Sequence, residues 1–207
     1  MKITLIKKND VITSKWAGGE SRQYFIYPVN SSYAARNFSF RLSMAESYSE
    51  EEAKYTNLEN YTRHLIMLEG NAHVFHKNHY DLVMEPYKDI DVFDGGWESS
   101  AAGKVTDFNM MLSKSCHGKM TVVENDGILK NEFCTECNKT FDFNAFYCGK
   151  GEAVFEVSTG EKIEISEGDM AILENVEDGV EINAVLKDSK LVRMDICCID
   201  MKSSHGR

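Results

Sequence analysis

The chain has 207 residues, 43% hydrophobic and 27% charged, a balance that excludes a wholly disordered protein and leaves room for a sizeable core. Its 23 Lys and Arg stand against 33 Asp and Glu, a formal charge of −10. That sign opposes long-range attraction to nucleic acid or to an anionic membrane, and neither is expected as a partner.

At about 100–200 residues per domain, the length fits one large domain or two small ones. The opening Met1 to Asp10 has an apolar part too short for a signal-peptide core, and no apolar run approaches the roughly 20 residues of a membrane helix. A cytoplasmic location is therefore expected. In a reducing cytosol the six cysteines (Cys116, Cys134, Cys137, Cys148, Cys197 and Cys198) are expected to be free thiols.

The predicted elements are almost all strands. Phe38 to Met44 alternates: Phe38, Phe40, Leu42 and Met44 share one face, Ser39, Arg41 and Ser43 the other. The polar face meets either solvent or a lined pocket. Ser47 to Lys54 is the one helical candidate, with Ser49 and Glu52 spaced for a capping box. His64 to Glu69 is apolar on both faces and reads as a buried strand. Ala72 to His76, Tyr80 to Met84 and Ile90 to Phe93 follow. Val105 to Leu112 alternates again, with Asp107 and Asn109 on one face; Met120 to Glu124 is short.

Asp126 to Asn144 is polar and aperiodic and marks a candidate boundary, giving halves 1–125 and 126–207. Strands then resume at Ala145 to Cys148, Ala153 to Val157, Lys162 to Ile165, Met170 to Leu173, Val180 to Leu186 and Leu191 to Ile199. A glycine turn precedes an Ala-led strand in both halves, at Gly70 and at Gly149-Lys150-Gly151, a faint internal repeat. Many short strands separated by Gly, Asn and Asp turns specify an all-β sandwich or barrel in two packed units.

Four segments carry a resemblance. Trp16-Ala17-Gly18-Gly19-Glu20-Ser21-Arg22 resembles the W-x-G-G-x-[ST]-R motif of the HutD/Ves family. Phe38-Ser39-Phe40-Arg41-Leu42-Ser43-Met44-Ala45 is similar to its F-x-[WF]-R-[LI]-S-x-A strand, Arg63 to Gly70 to its R-x-L-x-x-L-E-G segment, and Val105 to Met111 to its V-x-D-[FL]-N-x-M strand. Members often carry Pro-Gly before that arginine, where this chain has Glu59-Asn60. The resemblance implies a bicupin (RmlC-like) fold, an association with histidine degradation, and a pathway metabolite such as formylglutamate as ligand.

Cupin metal sites usually take His-x-His with a later Glu and His. Here His73, His76 and His79 stand three apart, so successive ones point to opposite faces of a strand and read as surface or turn histidines. The second half has no histidine before His205. Cys134-x-x-Cys137 is weighed as a zinc site completed by Cys148 or by Cys116 and His117, but the spacing is irregular and no second Cys-x-x-Cys exists. No metal and no cofactor are expected. Cys197 and Cys198 read as strand residues with thiols on opposite faces.

Arg41 offers a planar fork of donors suited to a carboxylate, and Ser43 flanks it on the same face. Alternation alone leaves Arg41 open to solvent; the resemblance favours a pocket. Asp107 and Asn109 either line that pocket or form a buried polar layer, and Arg22 and Trp16 are further candidates. No nucleophile–base constellation is visible. The expected function is a binding or regulatory bicupin, monomer or homodimer, that takes a small anionic or polar metabolite without catalysing a reaction. The alternative is a metal-independent isomerase or hydrolase using Asp107, Glu69 or a histidine.

Overall fold

The computed structural model describes residues 1–199; His205 lies outside them. Among the described residues there is no α-helix, only a short 3-10 turn at Lys8–Asp10, and no helix is long and apolar enough to cross a membrane. The chain forms two compact units, one of Val11–Lys114, the other of Met1–Asp10 with the residues from Ser115 on.

The division expected at 125/126 therefore falls at 114/115, and the first ten residues belong with the C-terminal unit. The reason is local. Lys2–Ile6 pairs antiparallel with Met170–Glu174, and Asp169 ties down the segment that follows. Its carboxylate accepts hydrogen bonds from the backbone N–H of Lys8 (3.0 Å) and Ser166 (3.1 Å) and from Lys7 Nζ (2.8 Å).

The Val11–Lys114 unit contains two antiparallel sheets. The larger runs in the order Ile12–Trp16, Gly19–Tyr27, Phe40–Ser47, Thr106–Ser113, Tyr61–Glu69, Ile90–Asp94. The smaller runs Ala53–Lys54, Ser99–Ala102, Ala72–His76, Tyr80–Met84. The period-2 pattern does what it specifies: Phe40, Leu42 and Met44 lie on one face of the large sheet and Arg41 and Ser43 on the other. All five are buried, so the polar face lines an interior.

The helix expected over Ser47 to Lys54 does not form. Ser49 Oγ instead accepts the backbone N–H of Glu51, a local turn that competes with helix, and the Glu52 carboxylate accepts the Ser100 hydroxyl at 2.6 Å. Ahead of Arg63, Asn60 stands at φ 73°, a left-handed conformation that Asn tolerates in place of the family's Gly.

In the second unit a seven-stranded sheet is built around two long strands, Phe143–Val157 and Glu181–Cys198. Each was expected as two strands. The Gly149-Lys150-Gly151 segment is a bulge inside the ladder rather than a turn. Gly151 (φ 73°) sits against strand backbone, where an added Cβ would lie 2.4 Å from the Asp188 carbonyl oxygen. Phe146, Phe155, Ile163, Ile165, Leu173 and Leu191 form this unit's core.

The cysteines are not all free. Antiparallel register sets Cys116 opposite Cys198 (Cα–Cα 4.0 Å), and the two form a disulfide, correcting the expectation of six thiols. Cys197 faces the other way, as alternation requires, and lies with Cys134 and Cys137.

Candidate functional site

Three adjacent strands of the large sheet build the site. Arg41 stands opposite Met111, and Met111 opposite Arg63, so both guanidiniums leave one face in a single row. The next row holds Ser43, Asn109 and Leu65, and the one after it Ala45, Asp107 and Met67. Leu65 and Met67 pack with Val74, Met84 and Phe93. The polar part of the face opens into a cavity of about 360 Å³.

Arg41 and Arg63 are only 6% and 5% exposed, yet among the described residues no carboxylate comes within salt-bridge distance of either. Arg41 Nε donates to Gln23 Oε1 at 2.9 Å and its Nη1 to Ser43 Oγ at 2.8 Å, while the guanidinium lies 4.4 Å from the Tyr33 ring centre. Arg63 lies against the stacked rings of Tyr55 (4.7 Å) and Phe93 (5.2 Å), and its Nε has no hydrogen-bond partner. Burial pulls both pKa values down, and for Arg41 the charge of Arg63 adds to the effect. A guanidinium nevertheless stays protonated in a protein, so two cations share this pocket.

Lys15 and Lys54 also reach the lining, Lys54 with its ammonium 3.4 Å from the exposed Glu98, and the one carboxyl of the lining is Asp107. Burial pushes the Asp107 pKa up to about 7, with Arg63 opposing the rise. Near neutrality that carboxyl is about half protonated, so it neutralises at most one of the lining cations, and only in part. A protein of net charge −10 thus holds a locally cationic pocket. Asn109 is also a lining residue, and its buried Oδ1 has no partner either.

The second unit supplies a contrast. On the Glu181–Cys198 strand Arg193 is equally buried, but Asp195 sits two residues on, on the same face, and accepts from Arg193 Nε at 2.9 Å. In the first unit the corresponding i, i+2 neighbour of Arg41 is Ser43. One arginine carries an internal counter-ion; the other has a hydroxyl in its place.

Of the residues singled out from sequence, Arg41, Ser43, Asp107 and Asn109 converge on the cavity, and Trp16 lines its edge while 42% exposed, not in a core. Arg22 does not join them. It pairs in register with Met44, on the opposite face from Ser43, and its guanidinium binds Glu20 at 2.7 Å. Glu69 is exposed at a strand end and is not part of the lining.

Arg63, Tyr33, Tyr55 and Gln23 were missed. The signal for Arg63 was present: it lies two residues before Leu65 and so shares that residue's face within a run buried on both sides.

The histidines also differ from expectation. His73 is partly exposed and faces Asp81 at 3.3 Å, but His76 is buried. Its Nδ1 lies 2.7 Å from Ser99 Oγ and its Nε2 2.8 Å from Asp91, which also accepts the Tyr80 hydroxyl at 2.8 Å. This is a serine–histidine–aspartate relay that sequence spacing did not reveal. Ser99 is 4% exposed and does not line the cavity, so the relay is a structural network that satisfies buried polar groups.

The family model that matches the sequence is HutD, over residues 8–192. The chain belongs to the HutD family. No curated protein sequence matches it. Among solved structures, this HutD-family chain is similar to a conserved protein of unknown function from Pseudomonas aeruginosa (12% identity, 95% of this chain and 100% of the other, TM-score 0.79). It is similar to HutD from Pseudomonas fluorescens (17% identity, 95% and 99%, TM-score 0.73). A cupin 2 conserved barrel domain protein from Leptotrichia buccalis also aligns (14% identity, 96% and 98%, TM-score 0.56). The likeness establishes an all-β, cupin-type fold. The lining of the cavity contains no imidazole and a single carboxylate, so it does not offer the His-x-His, Glu and His donor set of a cupin metal centre.

Proposed function

We propose that this HutD-family protein binds a small carboxylate metabolite in the cavity of its Val11–Lys114 unit, with Arg41 and Arg63 as anchors. One observation carries the reading: two buried guanidiniums line a cavity of about 360 Å³ and, among the described residues, no carboxylate lies within salt-bridge distance of either. Burying a charge without a counter-ion costs several kcal/mol, a cost that an anionic ligand offsets. Ser43 and Asn109 supply further polar contacts. N-formylglutamate, which combines two carboxylates with one amide N–H, is the first candidate, consistent with a regulatory role beside histidine degradation in the cytoplasm.

Titration calorimetry with formylglutamate, glutamate and succinate tests this. The wild type is expected to bind at least one of them, and Arg41→Ala or Arg63→Ala to lose affinity by about 30-fold or more, the usual scale for truncating one side of a buried charged contact. Equal binding by all three proteins, or by none, would remove the arginines from this role.

Asp107 gives the binding a pH dependence of definite sign. Below about 7 its carboxyl is protonated and the ligand meets only cations. An incoming anion favours that protonated form, so binding takes up a proton and weakens as pH rises through the free-protein value. Between about pH 6 and about pH 8 affinity is expected to fall by about tenfold, a shift of order one pKa unit. Asp107→Asn should flatten the curve at its tighter end; a wild-type affinity that rises with pH would reverse the assignment.

The same carboxyl favours a second reading, a metal-independent enzyme in which Asp107, poised near neutrality in a cavity, moves a proton. Solvent-deuterium incorporation into bound metabolite, present in wild type and absent in an Asp107→Asn protein that still binds, would select this reading over simple binding.

A further inference from the structure

The strongest chemistry outside the cavity is a group of three thiols in the second unit. Phe133–Cys134 and Lys139–Thr140 form a two-stranded hairpin, and the turn between them brings Cys134 and Cys137 round together. Asn138, directly after the second cysteine, takes a left-handed φ of 52°, and its N–H bonds back to the Thr135 carbonyl (3.3 Å), closing a tight loop. Cys197 comes from the long Glu181–Cys198 strand, 60 residues later in sequence, and the three sulfurs lie within 4.8 Å of one another. Cys134 and Cys197 are buried and Cys137 is half-buried, with Phe141 packed beside them.

We propose that Cys134, Cys137 and Cys197 bind a zinc ion, with His117, whose ring lies outside the 4.8 Å cluster of sulfurs, turning in as the fourth ligand. Register is the reason for His117. It stands opposite Cys197 in the antiparallel pair of Cys116–Val123 with Glu181–Cys198, so both side chains leave the sheet on one face with Cβ atoms about 5 Å apart. A Cys-x-x-Cys turn facing a third cysteine and a histidine is the donor set of a closed tetrahedral zinc site. The neighbouring disulfide does not compete, because Cys116 and Cys198 alternate to the opposite face from His117 and Cys197.

Binding forms three zinc–sulfur bonds and one zinc–nitrogen bond and releases the thiol protons to solvent, with no change of oxidation state. Glu136, whose carboxylate accepts from the Cys134 thiol at 3.5 Å, loses that bond and is free to turn outward from its exposed position on the loop. The ion would staple the hairpin to the central strand of its own unit. It is therefore a structural site, one that the spacing of Cys134 and Cys137 alone does not complete and that Cys197 adds to.

The test uses the full-length protein, reduced and stripped with chelator, then titrated with zinc chloride and with cobalt(II) chloride. One zinc per chain is expected, and cobalt should give thiolate charge-transfer bands with the intense d–d absorption of a tetrahedral site. Cys137→Ser, at the half-buried turn, should weaken zinc binding by about 100-fold or more, and His117→Ala by about tenfold with a shifted cobalt spectrum, at least the loss seen for outer-shell partners. Cys148→Ser should leave both unchanged and serves as the folded control. Zinc uptake by wild type no greater than by Cys137→Ser overturns the site, as does thiol counting on the protein before reduction that finds two of the three sulfurs joined in a disulfide. An unaltered affinity and cobalt spectrum in His117→Ala overturns the fourth ligand.

Discussion

Replacing Ser43 by aspartate is expected to lower carboxylate affinity by about 100-fold or more while leaving the protein folded. The variant would copy into the first unit the arrangement already present in the second, where Asp195 stands two residues after Arg193 on the same strand face and accepts from its guanidinium at 2.9 Å. Ser43 Oγ is already 2.8 Å from Arg41 Nη1, so a carboxylate there reaches the guanidinium and takes the place of the ligand's own. Ser43→Ala is the matched control: it removes one hydrogen bond, worth about 1 kcal/mol, and should weaken binding only about fivefold. Because the new carboxylate neutralises a buried charge, the thermal midpoint of the aspartate variant should hold or rise. Calorimetry with the same acids measures the first effect and thermal unfolding the second. An aspartate variant that binds like wild type would mean that Arg41 does not meet the ligand.

The reciprocal change in the second unit should act on stability instead. Asp195→Ser removes the near counter-ion of buried Arg193, leaving only the Glu132 carboxylate at 4.0 Å, and strips Asn144 Nδ2 of an acceptor at 2.7 Å. Breaking a buried pair from one side typically costs about 3–5 kcal/mol, a large part of the about 5–15 kcal/mol that holds a domain folded. The remaining bond of Arg193 Nη2 to the Lys130 carbonyl (2.7 Å) does not neutralise the charge. Removing both partners with Arg193→Leu and Asp195→Leu should recover much of the loss, since an apolar pair of similar size needs no desolvation. Denaturant unfolding is the measurement. A cost below about 1 kcal/mol for Asp195→Ser would show the pair to be solvated rather than buried.

The two arginines explain how much of this was legible in the sequence. Alternation put Arg41 with Ser43 on one strand face and Asp107 with Asn109 on another, but it was the family resemblance, not the alternation, that favoured a pocket over solvent for Arg41. Alternation could not say which neighbour an arginine meets across a sheet, and Arg63, in the same row as Arg41 through Met111, stood just ahead of the His64 to Glu69 run that read as apolar on both faces. Arg22 failed for the converse reason: the bulge between Gln23 and Phe25 and the pairing with Met44 put it on the far face. The long strands Phe143–Val157 and Glu181–Cys198 were divided at glycine-containing or charged segments because a bulge and a turn share the same residues. Cys197 could not be joined to Cys134 and Cys137 from spacing, since only the sheet brings positions so distant in sequence together.

Charge recognition in the cavity is tested most directly by comparing one ligand skeleton with and without its charges. Formylglutamate and its uncharged diamide, titrated calorimetrically at about pH 6 where Asp107 is protonated, differ only in the groups that the guanidiniums would hold. The acid is expected to bind and the diamide to bind at least about 100-fold more weakly. Equal affinities, or tighter binding of the diamide, would contradict an anion-binding pocket built on Arg41 and Arg63.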